Sequence, residues 1–238
     1  LITSLPSGNY FNLPGIGGFP GIPGYSGSTD LTVSNVSTLG WLAQSSFSST
    51  KVYDFNFFFK QVPEDTLAVM TSIVSPVTPG SFFESGGVLS HGYYWYLYDG
   101  TGSGLPLTIS SNMNVSDRKV VIFVKGASLN LNGNINLTDG VGFFGIFVNG
   151  ATTISPSVTS LEGIYLSNSS ITTGTTGTGD SQLNVRGSMA SYGGISLTRD
   201  IGGTNANPSE IFTYAPDQIL LFPGKISHRR INWKEVAP

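Results

Sequence analysis

The chain has 238 residues, enough for one large β domain or two small ones, and only 11% of them are charged, where about a quarter is usual. A net charge of −3 with few, scattered basic residues argues against a nucleic-acid partner, which needs a basic stripe. There is no cysteine, which excludes disulfides, thiolate chemistry and cysteine-held metals, and no apolar run approaches the roughly 20 residues that span a bilayer.

Residues 1–30 are rich in Gly and Pro and read as an extended arm. Gly15, Gly18, Gly21, Gly24 and Gly27 fall three apart, the spacing of a collagen triple helix, whose axis admits only Gly. Four triplets are too few for a stable stem, and the bulky Ile, Phe and Tyr beside the glycines suit it poorly. A polyproline-like arm is the plainer reading. Phe11, Ile16, Phe19, Ile22 and Tyr25 are too apolar to rest in water. They are expected to lie on the chain's own domain or on a neighbouring subunit, which makes them candidate self-assembly residues. The start at Leu1 instead of Met reads as a processed product from which a signal segment has been removed.

Residues 31–115 read as a β-rich N-terminal region that caps the following repeat or supplies its first turns. Strand-like runs lie at 31–33, 52–59, 92–98 and 105–109, with turn residues around Pro63 and at Pro76-Val77-Thr78-Pro79-Gly80. Along 52–59, Phe55, Phe57 and Phe59 would point to the core, and Phe58 would face a subunit. Along 92–98, Tyr94, Tyr96 and Tyr98 share one face, and Tyr93, Trp95 and Leu97 share the other. One face is expected in the core. The other is a candidate interface or sugar-stacking platform, with Tyr94, Tyr96 and Tyr98 as candidate glycan-binding residues. The plainer alternative buries both faces and bonds the phenol groups at the edge.

Residues 116–200 carry the repeat. Val120-Val121-Ile122-Phe123-Val124 runs to Gly126, Phe144-Gly145-Ile146-Phe147-Val148 to Gly150, Ile164-Tyr165-Leu166 to Asn168, and Leu183-Asn184-Val185 to Gly187. These turn residues are 24, 18 and 19 apart. A recurring unit of about 20 residues marks a β-solenoid, in which no rung buries its inward side chains alone. Residues 128–137 alternate polar and apolar strictly, and Thr152-Thr153-Ile154, Ser170-Ile171-Thr172 and Ile195-Ser196-Leu197 repeat the pattern in brief. The turns repeat in kind as well as in spacing, which favours a solenoid over an antiparallel sandwich. The predicted fold is therefore all-β: a parallel β-helix, right-handed by the usual preference of crossovers.

Residues 201–238 stop repeating and read as a C-terminal cap and tail. Within them 207–216 has the look of a turn and one helical turn, and 218–223 of a final apolar strand.

The stretch Lys119-Val120-Val121-Ile122-Phe123-Val124-Lys125-Gly126, with Leu161-Glu162-Gly163-Ile164-Tyr165 and Ser196-Leu197-Thr198-Arg199-Asp200, carries a resemblance. So do Pro208-Ser209-Glu210-Ile211-Phe212-Thr213-Tyr214-Ala215-Pro216 and the ending Trp233-Lys234-Glu235-Val236-Ala237-Pro238. Over about residues 90–238 the chain resembles a group of secreted or surface proteins of the candidate-phyla bacteria (Patescibacteria). The resemblance implies an exported bacterial protein with a C-terminal β-helix and brings no catalytic residues. The Gly/Pro arm departs from that group.

Chemistry is sparse. β-Helices often carry polysaccharide lyases and hydrolases, and a glycosidase needs two carboxyls at a set separation. The acids of the repeat, Asp139, Glu162 and Asp180, sit at uneven phase. Arg186 with Asp180 is the nearest approach to a lyase pair, and a solvated ion pair explains it as well. His91 and His228 are the only histidines and have no metal spacing between them. No enzyme activity, cofactor or metal is expected. The leading expectation is a secreted or cell-surface structural protein that forms a homo-oligomer or polymer, a filament, stalk or coat. The alternative is an adhesin or carbohydrate-binding module whose partner is a surface glycan.

Overall fold

The computed structural model describes residues 53–73, 79–174, 179–202 and 208–227, together with the backbone of four short strands, β1 (Ile2–Ser4), β2 (Gly24–Tyr25), β3 (Ala43–Gln44) and β5 (Val77–Thr78). Phe11, Ile16, Phe19 and Ile22 of the arm lie outside the described residues, as do His228 and the Trp233 to Pro238 ending. The backbone of Tyr25 lies in β2, which pairs in parallel with β3.

The chain winds as a parallel β-solenoid of about five turns. One ladder is a seven-stranded sheet. It runs from β5 (Val77–Thr78) through β8 (Leu107–Ile109), β11 (Leu129–Leu131), β14 (Thr152–Ile154) and β16 (Ile171–Thr172) to β18 (Ile195–Ser196). β1 is added in parallel outside β18. A second ladder holds β4 (Thr71–Ile73), β7 (Tyr93–Asp99), β10 (Lys119–Lys125), β13 (Phe143–Val148) and the later halves of β15 (Ser160–Ser167) and β17 (Leu183–Ser191). A third holds β9 (Met113–Ser116), β12 (Ile135–Leu137), the earlier halves of β15 and β17, and β19 (Glu210–Thr213). The second and third fuse into one ten-stranded sheet because β15 and β17 run unbroken around the corner between them. Only β6 (Leu89–Ser90) pairs antiparallel among the described strands, in a tight hairpin with β7. His91 and Gly92 take φ of 49° and 83° there, as such a turn requires.

The register corrects the repeat. Val120 pairs with Tyr94 and Phe144, Gly145 with Ile164, and Ile164 with Ser188, so successive turns are 26, 24, 19 and 24 residues long. Ser167 pairs with Ser191, which places the equivalent of Asn168 at Tyr192, not at Gly187. Gly187 sits instead at a corner. The ladders also run from Thr71 to Thr213, so of the two roles expected for 31–115, a cap or the first turns, residues 71–115 take the second.

Period-two alternation explains the interior. Leu107, Leu129, Thr152, Ile171 and Ile195 stack in register on one ladder, and Tyr96, Ile122, Ile146, Tyr165 and Met189 on another. Met113, Ile135, Leu161, Val185 and Phe212 line the third. All but Thr152 belong to the inner core or pack on it. Each fully buried aliphatic side chain contributes roughly 1.5–3 kcal/mol.

β10 and β13 are apolar on both faces, the pattern of a strand covered on both sides. Trp95, Val121, Phe123, Phe143 and Phe147 form an outer layer. It is covered by α1 (Phe55–Phe59) and by Leu221, Phe222 and Ile226 near the C-terminal end of the described chain. The predicted strand at 52–59 is therefore a helix. Asp54 Oδ1 accepts from Phe57 N–H at 2.8 Å and caps it, while Asn168 Oδ1 accepts from Phe55 N–H at 2.8 Å. A helical turn puts Phe55 and Phe59 side by side, with ring centroids 5.4 Å apart. Phe58 packs on Phe147 and Phe222 of its own chain, not on a subunit. The tail is likewise reversed: 210–213 is strand β19, and the predicted strand at 218–223 begins in helix α3 (Pro216–Leu220), which follows α1 and the short α2 (Glu64–Val69) in the chain.

Candidate functional site

Two of the three rings of the candidate glycan platform lie in the interior. Tyr96 and Tyr98 are 0% and 4% exposed, and Tyr94 packs against the same inner core. A ring without an accessible face offers nothing to a sugar, so Tyr96 and Tyr98 are core residues, whereas Tyr94 is half-buried with the Arg118 guanidinium 3.6 Å from its ring centroid. The opposite face, with Tyr93, Trp95 and Leu97, meets the outer aromatic layer. The hydroxyls bond at the edges: Tyr96 to the Gly86 carbonyl at 3.3 Å, Tyr98 to that of Leu105 at 3.0 Å and Tyr93 to that of Leu221 at 2.7 Å.

The charged residues gather differently from their order in the sequence. Arg186 does not meet Asp180. Its Nη2 donates to Asp217 Oδ1 at 2.9 Å and lies 3.3 Å from Asp139 Oδ1. Glu162 is the register neighbour of Arg186 on the adjoining turn, and its Oε2 accepts from Leu137 N–H at 2.8 Å. Burial pushes the Glu162 carboxyl up against that bond and the Arg186 charge. Burial acts on Asp217 in the same sense, but hydrogen bonds from Arg186, the Gly140 N–H and Gln218 hold it below its ordinary value. The stack of turns thus brings Asp139, Glu162, Arg186 and Asp217 together, although Asp217 comes from α3, beyond the repeat. Among the described residues no group of three or more His, Asp or Glu side chains is arranged to hold a metal ion. His91 Nε2 reaches Asp65 at 3.0 Å on an exposed surface. Asp99 is held at about 2 by Lys125 and Thr101 in a similarly exposed pair.

One ionic centre had no signal in the sequence. Arg199 is fully buried. Its Nη1 donates to the carbonyls of Pro156, Val158 and Ser181 at 3.2, 2.6 and 2.6 Å, and its Nη2 to that of Ser155 at 2.7 Å. Glu210 and Asp180 add favourable charge beside it. Glu210 Oε1 accepts from Thr173 Oγ1 at 2.9 Å and from Arg199 N–H at 3.2 Å. Both terminal nitrogens of Arg199 end on backbone carbonyls, and Glu210 accepts from Thr173 and from the Arg199 N–H, so the cluster ties the last turns together.

The remaining unusual feature is at the sheet edges. Among the described residues, the ten-stranded sheet ends in β4 and β19, and the seven-stranded sheet ends in β5 and β1. Such edges expose unpaired N–H and C=O groups that template further pairing. One of the four ends is formed by β1, which pairs Ile2 with Ile195 and Ser4 with Ser196. The edge at β18 therefore accepts a parallel strand of this composition, and it is the candidate assembly site. No described helix is long and apolar enough to cross a membrane. Comparison with protein-family models, with curated proteins and with solved structures finds no match for the chain.

Proposed function

We propose that this chain is a non-enzymatic structural protein of the bacterial cell surface, exported and self-assembling into a filament, stalk or coat through its N-terminal arm and its sheet edges. The observation that carries this reading is the parallel pairing of β1 with β18: the arm has strand-forming affinity for the end of a solenoid. The low charge and the hydroxyl-rich turns agree with it, and so does the use of the charged residues in structural pairs. Export and a bacterial source rest on the resemblance to the Patescibacteria surface proteins. The adhesin reading loses most of its platform, with Tyr96 and Tyr98 in the core and Tyr94 half-buried against it.

The test is the native particle mass, by light scattering and electron microscopy, with and without residues 1–30. A polymer that falls to monomers on truncation supports the assembly. A monomer at every concentration in both forms overturns it.

A further inference from the structure

We infer that in the assembled state β1 is exchanged between copies: Ile2–Ser4 of one molecule completes the β18 edge of the next, and solenoids join head to tail. This deepens the assembly reading above and rests on it.

The argument is topological. In a solenoid each stretch of chain lies one turn beyond the stretch before it, so a strand that precedes β4 and β5 belongs beside them. β1 instead lies at the opposite end of the seven-stranded sheet, outside β18. Six strand spacings separate β1 from β5, about 29 Å at about 4.8 Å each. Residues 5–52, which would reach about 160 Å if extended at about 3.3 Å per residue, can span that distance. Within one molecule, however, β1 and β5 stand at opposite ends of the sheet, and among the described residues β5 is left at an open edge.

Head-to-tail stacking removes both difficulties. All strands of the two main ladders point the same way along their turns, and translation along the axis preserves that direction. A β1 strand placed beside its own β5 is then parallel to it, and also parallel to the β18 of the molecule beneath. The same strand would pair on both sides, continuing the seven-stranded sheet from one copy into the next. The contact with β18 is the same in exchange as within one chain, so exchange forfeits nothing there and gains the second pairing at β5. Because the two joined surfaces differ, the contact is heterologous and does not close on itself, which yields an open filament.

The absence of cysteine makes the test direct. Full-length Ser4→Cys and Ser196→Cys chains, whose altered positions are register partners, are mixed in equal amounts, allowed to assemble and treated with a short bis-maleimide. The expected result is a covalent dimer band from the mixture that neither chain yields alone. A mixture that gives no such dimer overturns the exchange, whether or not a third chain carrying both Ser4→Cys and Ser196→Cys closes on itself as a cross-linked monomer. Native mass on the same samples separates the two ideas. Polymers without the dimer band overturn the exchange and leave the assembly reading standing, whereas monomers without it overturn both.

Discussion

At the scale of single residues, two positions show how the turns constrain their occupants. Gly163 and Gly187 are register partners at the corner where two ladders fuse, with φ of 124° and 143°. A Cβ on Gly187 would fall 1.9 Å from the Gly163 carbonyl oxygen, and one on Gly163 would fall 2.5 Å from that of Phe144. Backbone cannot yield as a side-chain tip can. Gly187→Ala is therefore expected to cost about 2–3 kcal/mol in urea unfolding. Gly102→Ala, where a Cβ meets open space, should stay within about 0.5 kcal/mol. The buried Glu210 makes a pH prediction. Burial raises its carboxyl above the ordinary 4.5, against hydrogen bonds from Thr173 and Arg199 N–H and the Arg199 charge. A value raised in the folded state means that this group's stabilisation is complete below about 4.5 and is lost as pH rises through the raised value. Glu210→Gln keeps an acceptor oxygen for Thr173 and Arg199 but cannot ionise. Urea midpoints measured from pH 4 upward should fall less steeply in the variant than in the parent. An equal slope would place the ionisation elsewhere.

At the scale of elements, the outer aromatic layer decides which segments are helices. Phe55, Phe58 and Phe59 of α1 meet Phe123 and Phe147, with Phe55 and Phe59 5.7 and 5.2 Å from the Phe123 ring and Phe58 4.8 Å from the Phe147 ring. Phe222 joins the same layer, 6.2 Å from Phe147. The layer thus holds the segment before the solenoid against the segment after it. Phe147→Ala removes the ring between them and should cost about 3–5 kcal/mol. Limited proteolysis should then cut first near α1, while the inner ladders keep their protection. A variant cut first inside the ladders would show that the outer layer is part of the folding core. The strand reading of 52–59 failed because five short-range aromatic residues fit either period, and what settles the matter is the flat apolar face of β10 and β13, far away in sequence. The tail reading failed for the same reason: α3 forms where Gln218 can reach the Gly142 carbonyl at 2.9 Å, a contact that sequence does not announce.

At the scale of the whole molecule, the solenoid is held by contacts between neighbouring turns, so damage should spread by position. Ile73→Ala, in the first turn, should speed amide exchange in 71–73 and 93–99 and leave 143–154 unchanged. Ile146→Ala, in the middle, should speed exchange on both sides of 143–148. Equal effects everywhere would make the stack a single cooperative unit instead. The parallel solenoid itself was legible in 116–200, because the alternation of 128–137 and the recurring turns are local features, although β10 and β13 are apolar on both faces and the lengths of the turns came only from the register. The site was not. The tyrosines at 94, 96 and 98 alternate correctly, but alternation says only that three rings share a face, not which face closes on the core. The Arg186 pairs, the Arg199 centre and the place of β1 join residues tens to nearly two hundred positions apart. Sequence by itself determined that short apolar strands recur in a parallel solenoid and that charge is scarce, since these follow from side-chain alternation, backbone freedom and composition. Only the tertiary structure decided which faces are covered, where the charges meet and which edge the N-terminal strand finds, because each depends on the stacking of turns that no local stretch contains.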